Sequence, residues 1–406
     1  MTVIRSTIDR VLKRINAIGR DGDGWTRPSY SDLETEAHAV VADEANALGL
    51  SVTRDAAGNL FARLPGRDRT APAVHVGSHL DTVAQGGAYD GQAGVAGALA
   101  LVASLVESRQ TPPVDIVVTV TRAEESVWFP ASYIGSRGAL GRLTRADLEV
   151  RRADTGRTLA DHMRDQGLDP EAALQVPPPN RASFVEIHIE QGPVLHEAGE
   201  SHAIVTGVRG GLRYRTAQVH GVWAHSGGAP RDLRADAVFA LADLIYAMDA
   251  NWADVLAAGD DLAVTFGIID ASGPLHAMAK VPGQAGFCLD LRSSSETVLE
   301  AADRRLQTHI ARIEAARPGI RFELGPQSRS KPMELSTTWS DRLTTAVPLR
   351  RMLSGGGHDA AAFAAAGWDS TMIFVRNWNG SHCPEEGMDP ADLAAAVETL
   401  RRTLLA

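Results

Sequence analysis

A chain of 406 residues exceeds one ordinary domain, so two domains, or one carrying an insertion, are the expected plan. With 44% hydrophobic and 22% charged residues the composition is globular and can bury a core, unlike a disordered, collagenous or coiled-coil chain. A formal net charge of -10 without a basic block speaks against nucleic acid, no apolar run is long enough for a bilayer, and two cysteines cannot build a disulfide framework, which suits a reducing cytoplasm.

The first expected element is an amphipathic helix with Ile4, Ile8, Val11 and Ile15 on one face, rather than a signal peptide. Short β-branched runs at 74–76, 115–120 and 184–189 then alternate with helical stretches such as 95–106, which predicts an α/β sheet wrapped by helices. From Leu212 the pattern changes. A strand at 212–219 leads to a helix at 232–249 with Val238, Leu241, Ile245 and Met248 on one face, then to strands at 262–269 and 281–291. A helix at 296–316 follows, with Ser293 three residues before Glu296 as a capping box, and Arg317-Pro318-Gly319 separates it from a strand at 320–324. The order β-α-β-β-α-β is the split βαβ, ferredoxin-like unit, here read as an insertion. α/β character returns with a Gly-rich turn at 354–359, a helix at 359–366, a strand at 371–375 and a helix at 389–405. The expected division is 1–210 and 328–406 for the main domain and 211–327 for the inserted one.

Chemistry concentrates where strands end, which is where open α/β sheets bind ligands. His79 and Asp81 close the strand near Val76, and Asp90 opens the helix after it. Alone, Asp90 reads first as a helix cap; together with His79 and Asp81 it supplies the parts of a metal site. The next strand runs into Glu124 and Glu125. Such a pair is either a solvated loop or a division of labour, one acid holding metal and the other moving a proton. His188 near the end of the strand at 184–189, and His382 in Gly380-Ser381-His382-Cys383-Pro384, complete the set. His79, Asp90, Glu125, His188 and His382 would be five nitrogen and oxygen ligands, enough for two divalent ions sharing one carboxylate.

The ordered segments GSHLDTV, YDGQAGVAG, RAEES, HIEQGPVL, AHSGGAPRDLRADA, SGGGHDA and GSHCPEE, with GWTRPSYS and DAAGNLFARLPG before them, resemble the M20-type metalloamidases of the N-carbamoyl-L-amino-acid hydrolase and allantoate amidohydrolase group. The resemblance spans nearly the whole chain. It implies a di-metal, exopeptidase-like α/β domain with a ferredoxin-like lid that also dimerises. It implies His79, Asp90, Glu125, His188 and His382 as ligands of two ions (Zn, Mn, Co or Ni), with Asp90 bridging, Asp81 orienting His79 and Glu124 as general base. By the same resemblance Gln191 contacts substrate, His225 stabilises the oxyanion from its own or a partner subunit, and Arg292 holds a substrate carboxylate. His358 lines the pocket in one reading, while in another Asp359 simply caps the following helix.

Departures from that pattern bear on substrate. Ala279 stands where the group has Asn, Trp128 where it has Arg, and Gly-Gly-Ala-Pro-Arg follows His225 in place of Gly-Thr-Thr-Pro-Met. Fewer polar contacts and an added indole favour a larger or less polar substrate and count against allantoate. The expected activity is hydrolysis of a linear amide in an N-carbamoyl or N-acyl amino acid. The competing readings are a dipeptidase or aminoacylase on the same ligands, a Cys383 nucleophile beside His382, and a binding protein on an enzyme scaffold.

Overall fold

The computed structural model describes residues 2–406 and is a mixed α/β fold in two compact units. The first comprises residues up to Thr206, Glu334–Ser354 and His358–Ala406; the second comprises Gly207–Met333 and Gly355–Gly357.

The first unit is built on a nine-stranded sheet. Its centre is four parallel strands in the order Asp369–Val375, Ser183–Ile189, Val74–His79 and Ile116–Thr121. Antiparallel neighbours flank them, His202–Val208 on one side and Leu60–Leu64 with Ser51–Arg54 on the other. The central strands are buried almost without alternation, as expected of strands covered on both faces. Helix Gln92–Glu107 is buried along almost its whole length because it packs on the sheet and beneath the helices Thr2–Ile15 and Pro390–Leu405. Thr2–Ile15 buries Ile4, Ile8, Val11 and Ile15, the face its sequence periodicity predicts. Parallel pairing sends the carboxyl ends of all four central strands to one edge of the sheet, which decides where the site forms.

In the second unit the strands Gly210–His220, Ala263–Asp270, Gln284–Ser293 and Arg321–Glu323 form an antiparallel sheet with Gln284–Ser293 next to Gly210–His220, and Gln327–Ser330 also pairs with Gly210–His220. Helices Ala237–Ala257 and Glu296–Ala316 cover it, the latter with Leu299, Leu306, Ile310 and Ile313 buried.

Several local expectations need correction. The first of these helices starts at Ala237, because Asp236 caps it by accepting from the amides of Val238 and Phe239, and it runs on to Ala257. Val238 is consequently 38% exposed, and Leu244 takes its place in the core. The strand expected at 281–291 is broken at Pro282-Gly283, since proline has no amide for the ladder, and resumes at Gln284. Ser295, not Ser293, caps the second helix; the Ser293 hydroxyl donates to the Asp261 carbonyl.

Candidate metal centre

Each central strand delivers functional side chains to the common edge. His79 ends its strand, and its Nδ1 donates to the Asp81 carbonyl at 3.0 Å. A carbonyl can only accept, so the ring proton sits on Nδ1 and the Nε2 lone pair faces Asp90 Oδ1 at 3.5 Å. His188 repeats the arrangement, with Nδ1 donating to the Ile189 carbonyl at 2.9 Å and Nε2 3.2 Å from the same Asp90 oxygen. Two imidazole lone pairs and a carboxylate oxygen converging on one point are a nitrogen and oxygen donor set that fits a divalent cation.

The other Asp90 oxygen, Oδ2, lies 3.4 Å from His382 Nε2, which is itself 3.3 Å from Glu125 Oε1. His79, Asp90 and His188 thus form one group of possible ligands, and Asp90, Glu125 and His382 a second, with Asp90 common to both. Glu186, His188 and His358 lie comparably close. Glu186, however, accepts from the Ser78 hydroxyl at 2.9 Å and the Ala360 amide at 2.7 Å, and His358 Nε2 is 2.9 Å from Ser354 Oγ.

Gly91 opens the helix after Asp90 at φ 67°, and any Cβ there would stand 2.5 Å from the His79 ring. Glycine therefore serves both the turn and the close approach of the imidazole. Asp90 makes no side-chain cap for that helix; its carboxylate belongs to the cluster.

Asp81 is a hub. Its two oxygens accept from the Ser29 hydroxyl at 2.6 Å and from the amides of Glu124 and Glu125 at 3.1 Å each, while Oδ1 lies 3.4 Å from His79 Nδ1. Burial alone would raise its carboxyl, but the bonds from His79, Ser29 and Glu124 hold it below the usual range. The turn into Glu124 is set by Ala123 at φ 52°, a left-handed conformation unusual for alanine. It is held by buried Glu34, which accepts from the Ala123 amide at 3.1 Å and from Arg122 Nη1 at 2.8 Å.

Glu124 lies in neither group that contains Asp90, with Oε2 4.0 Å from His79 Nε2. Burial pushes its carboxyl well above the usual range, Glu125 and Asp359 add to that, and His79 opposes it. The carboxylates of Asp90 and Glu125 push His382 up to about 11. Buried acids outnumber the bases here, so the imidazoles draw protons; divalent cations would meet the same demand for positive charge.

The remaining expected residues have varied surroundings. Gln191, at φ 62°, donates Nε2 to Asp90 Oδ2 at 2.7 Å, within the cluster. The Trp128 indole is only 9% exposed, packs with Tyr30 and Phe129, and donates its N–H to the Thr82 carbonyl at 2.7 Å. Its polar atom is thus already committed. Asp359 does not cap its helix but accepts from the hydroxyls of Thr121 and Ser136. The Cys383 thiol donates to the Asn379 carbonyl at 3.2 Å, while the neighbouring His382 Nε2 faces Asp90 and Glu125.

Within the second unit, His225 is exposed and its Nδ1 accepts from the amides of Gly227 at 3.2 Å and Gly228 at 3.1 Å. An accepting Nδ1 places the proton on Nε2, leaving an outward N–H donor. Arg292 pairs with Asp290 at 2.8 Å and donates to the Gly355 carbonyl at 2.7 Å.

Sequence reasoning gave no role to several supports. Glu386 accepts from the amides of Tyr89 at 2.8 Å and Asp90 at 3.1 Å, and from Ser381 Oγ at 2.8 Å, joining the loops that carry Asp90 and His382. Arg27, fully buried, donates to the carbonyls of Leu80 and Ile18. Asn59 accepts from the Arg122 amide at 3.0 Å. Arg27 with Ser29, and Asn59, lie in GWTRPSYS and DAAGNLFARLPG, whose retention in the pattern was the available signal.

The sequence profile of peptidase family M20/M25/M40 matches residues 75–406. The chain is 31% identical to N-carbamoyl-L-amino-acid amidohydrolase of Paenarthrobacter aurescens, covering 100% of this chain and 99% of that protein. It is also 31% identical to allantoate amidohydrolase of Escherichia coli, covering 98% and 97%. The crystal structure of an amidase of the hydantoinase/carbamoylase family from Burkholderia multivorans superposes with a TM-score of 0.89 at 26% identity, covering 99% of this chain and 97% of that one.

Proposed function

The chain belongs to peptidase family M20/M25/M40, and from that premise we propose that it is a metal-dependent amidohydrolase cleaving a linear C–N bond in an N-carbamoyl or N-acyl amino acid. The observation that carries this reading is two groups of three ligands sharing Asp90, beside a buried acid, Glu124, that neither group uses.

His79, Asp90 and His188 would hold one divalent ion (Zn, Mn, Co or Ni) and Asp90, Glu125 and His382 a second. Bound there, such ions supply Lewis acidity at the scissile carbonyl. Glu124 takes the proton of the attacking water and returns it to the leaving nitrogen, a task favoured by a carboxyl whose proton affinity is raised. Asp81 keeps Glu124 in place through its amide and keeps the His79 proton on Nδ1. His225 donates its Nε2–H to the developing oxyanion, and Arg292 offers its remaining guanidinium hydrogens to a substrate carboxylate. A carbamoyl substrate yields ammonia, carbon dioxide and an amino acid; an acyl substrate yields a carboxylate and an amino acid.

The second unit, by its β-α-β-β-α-β order, is assigned as a ferredoxin-like lid that carries a homodimer interface. Supporting this, Phe239 and Tyr246, seven residues apart on helix Ala237–Ala257, are 59% and 78% exposed. The outer strand Ala263–Asp270 pairs on one side alone among the described residues and exposes Ile268 and Ile269.

The test is a panel of N-carbamoyl amino acids, N-acetyl amino acids and dipeptides. Free amino acid should be released from a carbamoyl or acyl derivative, lost on chelation and restored by a divalent ion. Cleavage of dipeptides alone would replace this reading with a peptidase.

A further inference from the structure

A cavity of about 510 Å³ opens beside the ligand cluster and is lined by Gln191, Gly192, His196, Glu197, Trp378 and Gly380 among others. One end is tied to the cluster, because Gln191 donates to Asp90 and Gly380 lies two residues before His382. The other end is aromatic. The rings of His196 and Trp378 pack against each other at 6.1 Å between centroids, inclined by 43°, and form one aromatic wall.

Both rings are fixed. Trp378 begins a turn closed by pairing with Gly387, and its indole lies so close over that glycine that a Cβ would stand 2.1 Å from Nε1. His196 rides on the one-turn helix Val194–Ala198, whose first amides, Val194 and Leu195, are held by the Glu190 carboxylate at 2.8 and 2.7 Å. The Gln191 amide is fixed by Asn377 Oδ1 at 3.0 Å, so the floor is held to the same loop as Trp378. The mechanism above uses neither His196 nor Trp378.

We propose that this cavity is a specificity subsite for an aromatic group carried by the substrate next to its scissile amide, packed against the pair of Trp378 and His196. A wall made of an indole and an imidazole suits a flat ring, which gains edge and face contacts an aliphatic chain cannot make. Glu197 in the lining disfavours an anionic side chain, so aspartyl and glutamyl derivatives are excluded from it. The inference rests on the amidohydrolase reading for its substrate but not for its binding site.

Two measurements keep the readings apart. For turnover, kcat/KM is compared between the phenylalanine and leucine members of the N-carbamoyl and N-acetyl panel. Trp378→Ala should lower the phenylalanine to leucine ratio by about five- to tenfold, the size of one aromatic contact, and His196→Ala should lower it in the same direction. For binding, calorimetry follows N-acetyl-L-phenylalanine on wild type and on the milder Trp378→Leu variant, where affinity should fall by a similar factor. An unchanged ratio in both alanine variants, or equal affinity in wild type and Trp378→Leu, overturns the subsite. If no member of the panel is hydrolysed, the amidohydrolase reading fails and the calorimetric comparison alone decides the subsite.

Discussion

At the scale of single residues, the two adjacent acids have different surroundings. Glu125 faces His382 at 3.3 Å and shares a ligand group with Asp90, whereas Glu124 stands outside those groups in a buried position that raises its proton affinity. Glu124→Gln keeps the shape and removes the base. On the proposed mechanism kcat should fall by about 10²- to 10⁴-fold with bound metal, measured by elemental analysis, unchanged; wild-type turnover in this variant would remove Glu124 from the chemistry. The five proposed ligands could be nominated from the sequence as a set, His79, Asp90, Glu125 and His188 standing at strand ends or a helix mouth and His382 in a loop, although Asp90 and Glu125 taken singly also read as a helix cap and a solvated loop. Glu386 was not legible. A carboxylate whose task is to bind backbone amides 296 or more positions away looks, in one dimension, like any surface acid. Trp128 is open to two readings for a related reason: a loop indole can as well fill a core as line a pocket, and here it belongs to the buried cluster of Tyr30 and Phe129.

At the scale of elements, the strand positions followed from β-branched runs, while capping chemistry moved one helix start, from 232 to Ala237, and one cap, from Ser293 to Ser295, the helix at 296–316 beginning where expected. Asp236 and Ser295 carry oxygens that satisfy the first helical amides, and several Ser and Asp residues compete for that role along the sequence. The strands also carry histidines that the cluster does not use. Burial, assisted by Arg63, pushes His75 down to about 3, and burial pushes His202 down to about 4. The unfolded chain protonates such groups near 6.5, so between that pH and the folded values it binds protons that the native state refuses. Stability from these two residues is full above about pH 6.5 and is lost progressively as pH falls toward 4. His202→Gln, which keeps polar atoms near Ser201 and Thr399, should flatten the acid side of a Tm against pH profile by a few degrees relative to wild type. Parallel profiles would show that His202 titrates as a free imidazole.

At the scale of the whole molecule, the net charge of -10 has a local component, since Asp81, Asp90, Glu124 and Glu125 crowd one sheet edge. The inserted position of the second unit was legible because its strand and helix order differs from the surrounding α/β pattern. The proposed dimer interface is open to a direct measurement. Placing charge on the exposed helix face with Phe239→Glu and Tyr246→Glu together should convert a sedimenting dimer to monomer while leaving the helix content by circular dichroism unchanged. A dimer that persists would move the interface elsewhere.

The parallel pairing of Asp369–Val375 with Ser183–Ile189 also imposes an order of events during synthesis. Ser370 and Phe184 lie side by side although 186 positions separate them in the chain. Until residues 369–375 leave the ribosome, Ser183–Ile189 and His202–Val208 each lack a neighbour and show open, largely apolar edges. The inserted unit, whose contacts are nearer in sequence, can fold in that interval, while the main sheet waits. His382 arrives later still, so the ligand set is completed only after the sheet has closed. On the proposed ligand set ion loading would therefore be a late step, and a nascent chain stalled before residue 369 would present open strand edges to chaperones instead of a metal site.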